Sequence, residues 1–202
     1  MARPAEGRPP AAPMSSSQIA RRVRILRAAS ELGAREGLVT VQMHDVAKEA
    51  GVAIATLYRY FPSKPYLFLE VLEWHIEQIL GDHNRTGTVG EGADPAAEVA
   101  GTLIALSGKL LENPLLASAV ALSSFTEYAS GAPARINVVE SALGQRLLRL
   151  LGGGEDEAGN RSRARLLVYS WWGLFVGVLT QELSNEEAEA DLRLAVRLIL
   201  AP

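Results

Sequence analysis

Thr40-Val-Gln-Met-His-Asp-Val-Ala-Lys-Glu-Ala-Gly-Val-Ala-Ile-Ala-Thr-Leu-Tyr-Arg-Tyr-Phe-Pro-Ser-Lys64 is the stretch that decides the fold of this 202-residue chain. Val41, Val46, Ala47 and Ala50 are apolar at helical spacing, with Thr40 placed to cap the start and Gly51 to stop the helix in a left-handed conformation. A second short helix must follow at once. From Ala53 onward Leu57 and Phe61 lie four residues apart, so they share a face that packs on Val46 and Ala50, while Thr56, Tyr58, Arg59 and Tyr60 occupy the opposite face. Pro62 ends this helix, because the residue before a proline avoids the helical region, and Ser63 can cap the next one near Lys64. Two helices joined by a tight glycine turn, the second presenting polar and aromatic groups, have the shape that enters a major groove.

An ordinary helical hairpin has the same turn, and the charge distribution separates the two readings. Residues 1–70 carry ten Lys or Arg against six Asp or Glu, a balance of +4, whereas the chain as a whole sums to −3. A basic head on an acidic body is the electrostatic footprint of a protein that binds nucleic acid at one end.

On these residues the segment resembles the DNA-binding head of the TetR family of transcriptional regulators. The family pattern is a Gly-Val turn followed by Thr-Leu-Tyr-x-Tyr-Phe-x-x-Lys, present here as Gly51, Val52, Thr56, Leu57, Tyr58, Tyr60, Phe61 and Lys64. The resemblance implies an all-α protein with a three-helix head and a larger helical body. It also implies a homodimer that binds a palindromic double-stranded operator and releases it when a small molecule occupies the body. Within the family, Val41-Gln42-Met43, Val52-Ala53, Thr56 to Lys64, Asn113-Pro114-Leu115-Leu116 and the terminal Leu194 to Leu198 resemble the repressors of cholesterol catabolism, which implies a lipid or steroid acyl-CoA effector.

The boundaries expected are an arm over 1–17, a helix-turn-helix domain over 18–64, and an effector-binding and dimerisation domain over 65–202. The arm is proline-rich and holds Arg3 and Arg8, which are either inert or reach phosphate or the minor groove. A first helix over 18–35 should turn Ile19, Val23, Leu26, Ala29 and Leu32 inward and end before Gly37; Arg21, Arg22, Arg24 and Arg27 crowd its first half, where one or two can meet phosphate.

On DNA, Thr56 and Tyr58 are the candidates for base edges or nearby phosphates, with Gln42 and Arg59 as further possible readers. Tyr60 through its hydroxyl, Lys64 through charge and Thr40 at a helix start are expected to hold the phosphate backbone. Ala53 stands where the family more often has a serine cap, and with Ile54 and Ala55 it offers apolar contact to thymine methyls.

Beyond the head, Leu67, Val71, Trp74 and Gln78 predict a helix from Lys64 to about Leu80 that links head to body, ending before the polar stretch Gly81 to Gly92. Further helices are expected near 94–112, 114–130 and 133–151. Leu166 to Thr180 is the most apolar run, too short for a confident membrane span and hydrophobic all round, so part of it should meet a second subunit together with a last helix from about Glu186 to Leu200. Gly173 and Gly177, four apart, either let backbones approach or make room for the tryptophans beside them.

Leu106, Leu110, Phe125, Tyr128, Trp171 and Phe175, with Ser107 or Thr126 as polar points, are the candidates for an effector pocket, and the scarcity of charge around them points to a hydrophobic ligand. Trp74, His75 and Asn84 are secondary candidates. No enzyme is expected: His44, His75 and His83 lack zinc-ligand spacing, and neither a phosphate loop nor Gly-x-Ser-x-Gly occurs. With no cysteine, thiolate metal sites are excluded; neither cofactor nor metal is expected, and a cytoplasmic, membrane-free protein is the reading that follows. An architectural or adaptor DNA-binding protein without an effector is the alternative.

Overall fold

The computed structural model describes residues 15–86, 94–129, 137–152 and 157–201, with the side chains of 82–86 and 127–129 left aside. Within these residues the chain is all helix: α1 Ser16–Thr40, α2 Met43–Glu49, α3 Ile54–Tyr60, α4 Lys64–Thr86, α5 Pro95–Leu111, α6 Pro114–Ala129, α7 Ala142–Leu151, α8 Glu157–Leu179 and α9 Asn185–Leu200. Arg3, Arg8, His83, Asn84, Tyr128 and the expected glycine-rich connections near 87–92 and 131–133 fall, in whole or in their side chains, outside what is described.

The head forms as its apolar spacing requires. Leu57 and Phe61 are fully buried with Val46 and Ala50, and burying two such side chains is worth about 1.5–3 kcal/mol each. Gly51 has a φ of 63°, the left-handed turn that lets α3 double back beside α2. Ser63 accepts from the backbone N–H of Tyr66 (3.1 Å) and so caps the start of α4.

Several expected boundaries shift. α1 does not stop before Gly37 but kinks there (φ 71°) and continues to Thr40, so Thr40 ends a helix rather than starting one, and Gln42 takes the N-cap position of α2. Ile19 is half exposed, not inward, and the buried stripe of α1 begins at Ile25 and Leu26. α4 runs on through Gly81 to Thr86, since one exposed glycine costs a helix only about 1 kcal/mol. Gln78, expected on its inner stripe, is exposed. α7 begins at Ala142, not 133, because Ser141 accepts from Gly144 N–H (3.1 Å) and fixes the first turn there.

α6 lies against both α1 and α4, and α8 packs on α7 and α9. The close crossing of α1 and α4 depends on Gly33: a Cβ there would sit 2.5 Å from the Phe68 ring. Two polar links between the helices add to it, and a cation–π contact ties α1 to the end of α3. Arg22 forms an ion pair with Glu70 and lies 5.9 Å from the centroid of the Phe61 ring, while Ser30 Oγ and His75 Nε2 are 2.7 Å apart. α4 is thereby bound to α1 of the head, and it packs on α6 and α7 of the body. Among the described residues no single helix is long and apolar enough to cross a membrane.

Candidate DNA interface and effector cavity

On the head, Ala53, Ile54, Ala55, Tyr58 and Arg59 are exposed and Thr56 is partly so, which leaves one continuous face of α3 free. Leu57 holds the opposite face in the core, so the whole length of this short helix is positioned by a few buried contacts. Ala53 takes the N-cap position with extended backbone and no side-chain cap, as expected for an alanine. Gln42 is exposed at the neighbouring helix start, its amide donating to Thr40 O at 3.3 Å. Thr40 is exposed beside it, but without the helix N-terminus that its phosphate role assumed.

Two expected backbone-holding residues do not present their polar ends to solvent. Lys64 turns inward: its ammonium donates to Leu38 O (2.8 Å) and Val41 O (2.9 Å), carbonyls that the kink at Gly37 leaves at the end of α1. A cation at a helix C-terminus satisfies orphan carbonyls and the negative end of the dipole. The Tyr60 hydroxyl is buried and accepts or donates no hydrogen bond among the described residues, with the Arg59 guanidinium 5.8 Å from its ring centroid. Of the arginines on α1, Arg22 is paired with Glu70 whereas Arg24 and Arg27 are exposed.

In the body, a cavity of about 300 Å³ opens between α5, α8 and α9. Trp171, Phe175 and Ser107 line it together with Ile104, Leu174 and Val178, and Glu112, Asn185 and Glu189 add polar groups. The Trp171 indole N–H donates to Ser107 Oγ at 2.8 Å. Trp171, Trp172 and Phe175 form one aromatic cluster with centroids 5.4–5.8 Å apart, two of the three pairs stacked. A second hollow of about 80 Å³ lies on the other side of that cluster, between α4, α6, α7 and α8.

The remaining candidates lie elsewhere. Leu106 and Leu110 are buried on α5 but line neither hollow, because the cavity takes the Ile104–Ser107–Gly108–Leu111 face of that helix. Phe125 is 52% exposed on α6, on the outside of the protomer, so it cannot line an internal pocket of one subunit; Thr126 is exposed and donates to Leu122 O. Tyr128 lies outside the described side chains. Trp74 stacks edge-on against His75 (5.0 Å) and lines neither hollow.

Glu73 was not anticipated. It shares a helical face of α4 with Leu69, Leu72 and Ile76, a carboxylate four residues along an apolar stripe, and that spacing is the signal by which it was findable. It accepts from the Ala142 N–H (2.6 Å) at the start of α7, and burial pushes its carboxyl above the usual range against the opposing effect of that bond, with Glu77 and Glu70 adding repulsion. Among the described residues there is no cluster of three or more His, Asp or Glu that would hold a metal ion.

Residues 25–71 match the bacterial regulatory proteins of the tetR family, and residues 92–199 match the tetracyclin repressor-like C-terminal domain. The chain is 32% identical to the HTH-type transcriptional repressor KstR of Mycobacterium tuberculosis (strain ATCC 25618 / H37Rv) over 92% of its own length and 83% of that protein. It is 36% identical to a TetR transcriptional regulator from Rhodococcus sp. RHA1 of known crystal structure, with a TM-score of 0.75 over 92% of this chain and 98% of that one. Thermus thermophilus FadR, a TetR-family repressor solved in complex with lauroyl-CoA, shares the fold at 20% identity, with a TM-score of 0.69 over 89% of this chain and 93% of its own. These proteins are named as regulators and repressors, not enzymes.

Proposed function

This chain belongs to the TetR family of bacterial regulatory proteins, and from that premise we propose that it is a repressor that binds a palindromic operator as a homodimer and lets go when a hydrophobic molecule enters its body. The DNA-binding head spans residues 16–64, its boundary two residues earlier than the expected 18 because α1 starts at Ser16, and residues 65–202 are the effector and dimerisation body; the protein works in the cytoplasm. The observation that carries the reading is the free face of α3, from Ala53 to Arg59, on a basic head joined through α4 to a body with an aromatic-lined cavity.

Thr56 and Tyr58 meet base edges or adjacent phosphates, Gln42 and Thr40 lie at the flank, and Ala53, Ile54 and Ala55 pack on thymine methyls. Tyr60 contributes only if its hydroxyl swings out, and Lys64 acts through the fold of the head rather than through phosphate.

Dimerisation is supported by apolar side chains left uncovered on α8 and α9: Leu166, Tyr169, Leu194 and Leu198 are each about half exposed or more. Leu192 and Val196, by contrast, are buried within the protomer. Gly173 is exposed on the same helix as Leu166 and Tyr169, whereas Gly177 is filled by Leu183 of its own chain, so only the first is free for a close approach. The effector is a hydrophobic molecule of the lipid class, a steroid acyl-CoA included, seated against Trp171 and Phe175; binding shifts the spacing of the two heads through α4.

Selection of operators from a random library, followed by a screen of hydrophobic ligands for release, tests this. Inverted repeats with thymine in each half-site and ligand-dependent release are expected. Half-sites of G·C pairs alone would remove the thymine contacts, and an operator affinity indifferent to every hydrophobic ligand would favour an architectural protein instead.

A further inference from the structure

Trp171 is the one residue that lines both the 300 Å³ cavity and the 80 Å³ hollow among the described residues. Phe175 lines only the first and Trp172 only the second, so the aromatic cluster stands between them as a wall with Trp171 as its shared panel. That panel is buried and is held by stacking on Phe175 and by a hydrogen bond from its indole N–H to Ser107 Oγ on the far helix. Moving the panel breaks that bond and its stacking, a cost that a ligand offsets by burying its own apolar surface in the joined space.

The two spaces differ in chemistry. The smaller holds Glu73, Ser124 and Ser141 amid leucine, isoleucine and valine. Ser124 Oγ donates its proton to Val120 O (2.9 Å) and Ser141 Oγ to Val138 O (2.8 Å). Both hydroxyls therefore have only lone pairs left to offer, and a Glu73 carboxylate offers only lone pairs as well. No lysine, arginine or histidine lines either hollow. Two further lining residues of the smaller hollow carry side-chain donors besides the shared Trp171: Tyr169, which is more than half exposed and belongs to the rim, and Trp172 with its indole N–H.

Resting on the effector reading above, we propose that the two hollows are compartments of one chamber divided by a displaceable Trp171, and that the ligand end passing beyond it carries a neutral hydrogen-bond donor, an alcohol, received by Glu73. Glu73 is on α4 and accepts the Ala142 N–H at the start of α7 through Oε1, so a donor received at its other oxygen engages the same carboxylate that ties α4 to α7. A carboxylate or phosphate end is excluded from the small compartment by Glu73 with Glu70 and Glu77 near it. A large anionic head, if present, stays at the solvent side.

The test is calorimetric titration of the full chain with 1-decanol and with its methyl ether, which has the same apolar body and an acceptor but no donor. The alcohol should bind about tenfold tighter, the equivalent of one hydrogen bond at about 1.4 kcal/mol per decade. Glu73→Leu should bring the ratio to about one; if that variant does not fold, Glu73→Gln, whose amide can also donate to the ether, should narrow the ratio. Trp171→Phe keeps the ring stacking and loses the bond to Ser107, so both probes should bind several-fold tighter with their ratio unchanged. Equal affinities, a ratio indifferent to Glu73, no binding of either probe, or weaker binding to the phenylalanine variant would overturn the proposal. Glu73-dependent preference without any effect on operator affinity would leave this chamber standing and remove the effector reading; operator release by ligands indifferent to Glu73 and Trp171 would do the reverse.

Discussion

Replacing Lys64 by methionine separates two roles that one residue is able to play in a helix-turn-helix head. Methionine keeps most of the aliphatic stem and removes the ammonium, which donates to Leu38 O and Val41 O at 2.8 and 2.9 Å. Hydrogen bonds from a charged group are worth about 1.5–3 kcal/mol, and because the side chain is half-buried we take the pair at about 2 kcal/mol together. For a chain of this size 1 kcal/mol moves the melting temperature by about 2–4 °C, so a fall of about 4–8 °C is expected in a thermal scan at fixed protein concentration. Operator affinity, measured by fluorescence anisotropy across a salt series, should then retain its slope. A phosphate contact would do the opposite: each contributes about 0.9 to the slope, so a dimer losing two would flatten it by roughly 1.8. An unchanged melting temperature with a flattened slope would refute the capping role.

Further outcomes follow from the same geometry. Tyr58→Ala on the free face of α3 should weaken operator binding by 1–3 kcal/mol, about 5- to 150-fold, with the melting temperature almost unmoved; a large loss of stability would show that the ring is packed and not free. Gly33→Ala should destabilise by about 1–3 kcal/mol in denaturant titration, because its Cβ meets the Phe68 ring at 2.5 Å, and a neutral result would mean that α1 and α4 separate easily. Burial holds His75 below its ordinary value of 6.5, beside Ser30 and against Trp74. The unfolded chain therefore takes up a proton first, so stability present above pH 6.5 is lost as pH falls from 6.5 toward the lowered value, and His75→Gln should flatten that window in urea titrations at stepped pH.

The helix-turn-helix was legible because its evidence is local. Leu57 and Phe61 are four apart, Gly51 must take a positive φ, and Pro62 must stop α3; each constraint acts within one or two helical turns. The apolar body was legible as a class for the same reason, as were Trp171 and Phe175, which stand one turn apart on α8 and line the cavity together. Glu73 was missed because its importance comes from α7, whose first N–H it receives across 69 residues of sequence. Phe125 was misplaced because a hydrophobic residue in an apolar helix reads the same whether it faces in or out.

The amino-acid sequence alone determined that the chain is helical, that residues Thr40 to Lys64 make a head for DNA, and that the body behind it is apolar, since periodicity, capping and charge balance are properties of neighbours along the chain. Only the tertiary structure decided which atoms the polar groups of that head and body spend themselves on. Lys64 goes to carbonyls some 25 residues before it, Arg22 to Glu70, and Trp171 to Ser107 across the cavity. A charge or donor takes the nearest partner that the folded chain leaves unsatisfied, and that partner is set by how helices cross, which no spacing records.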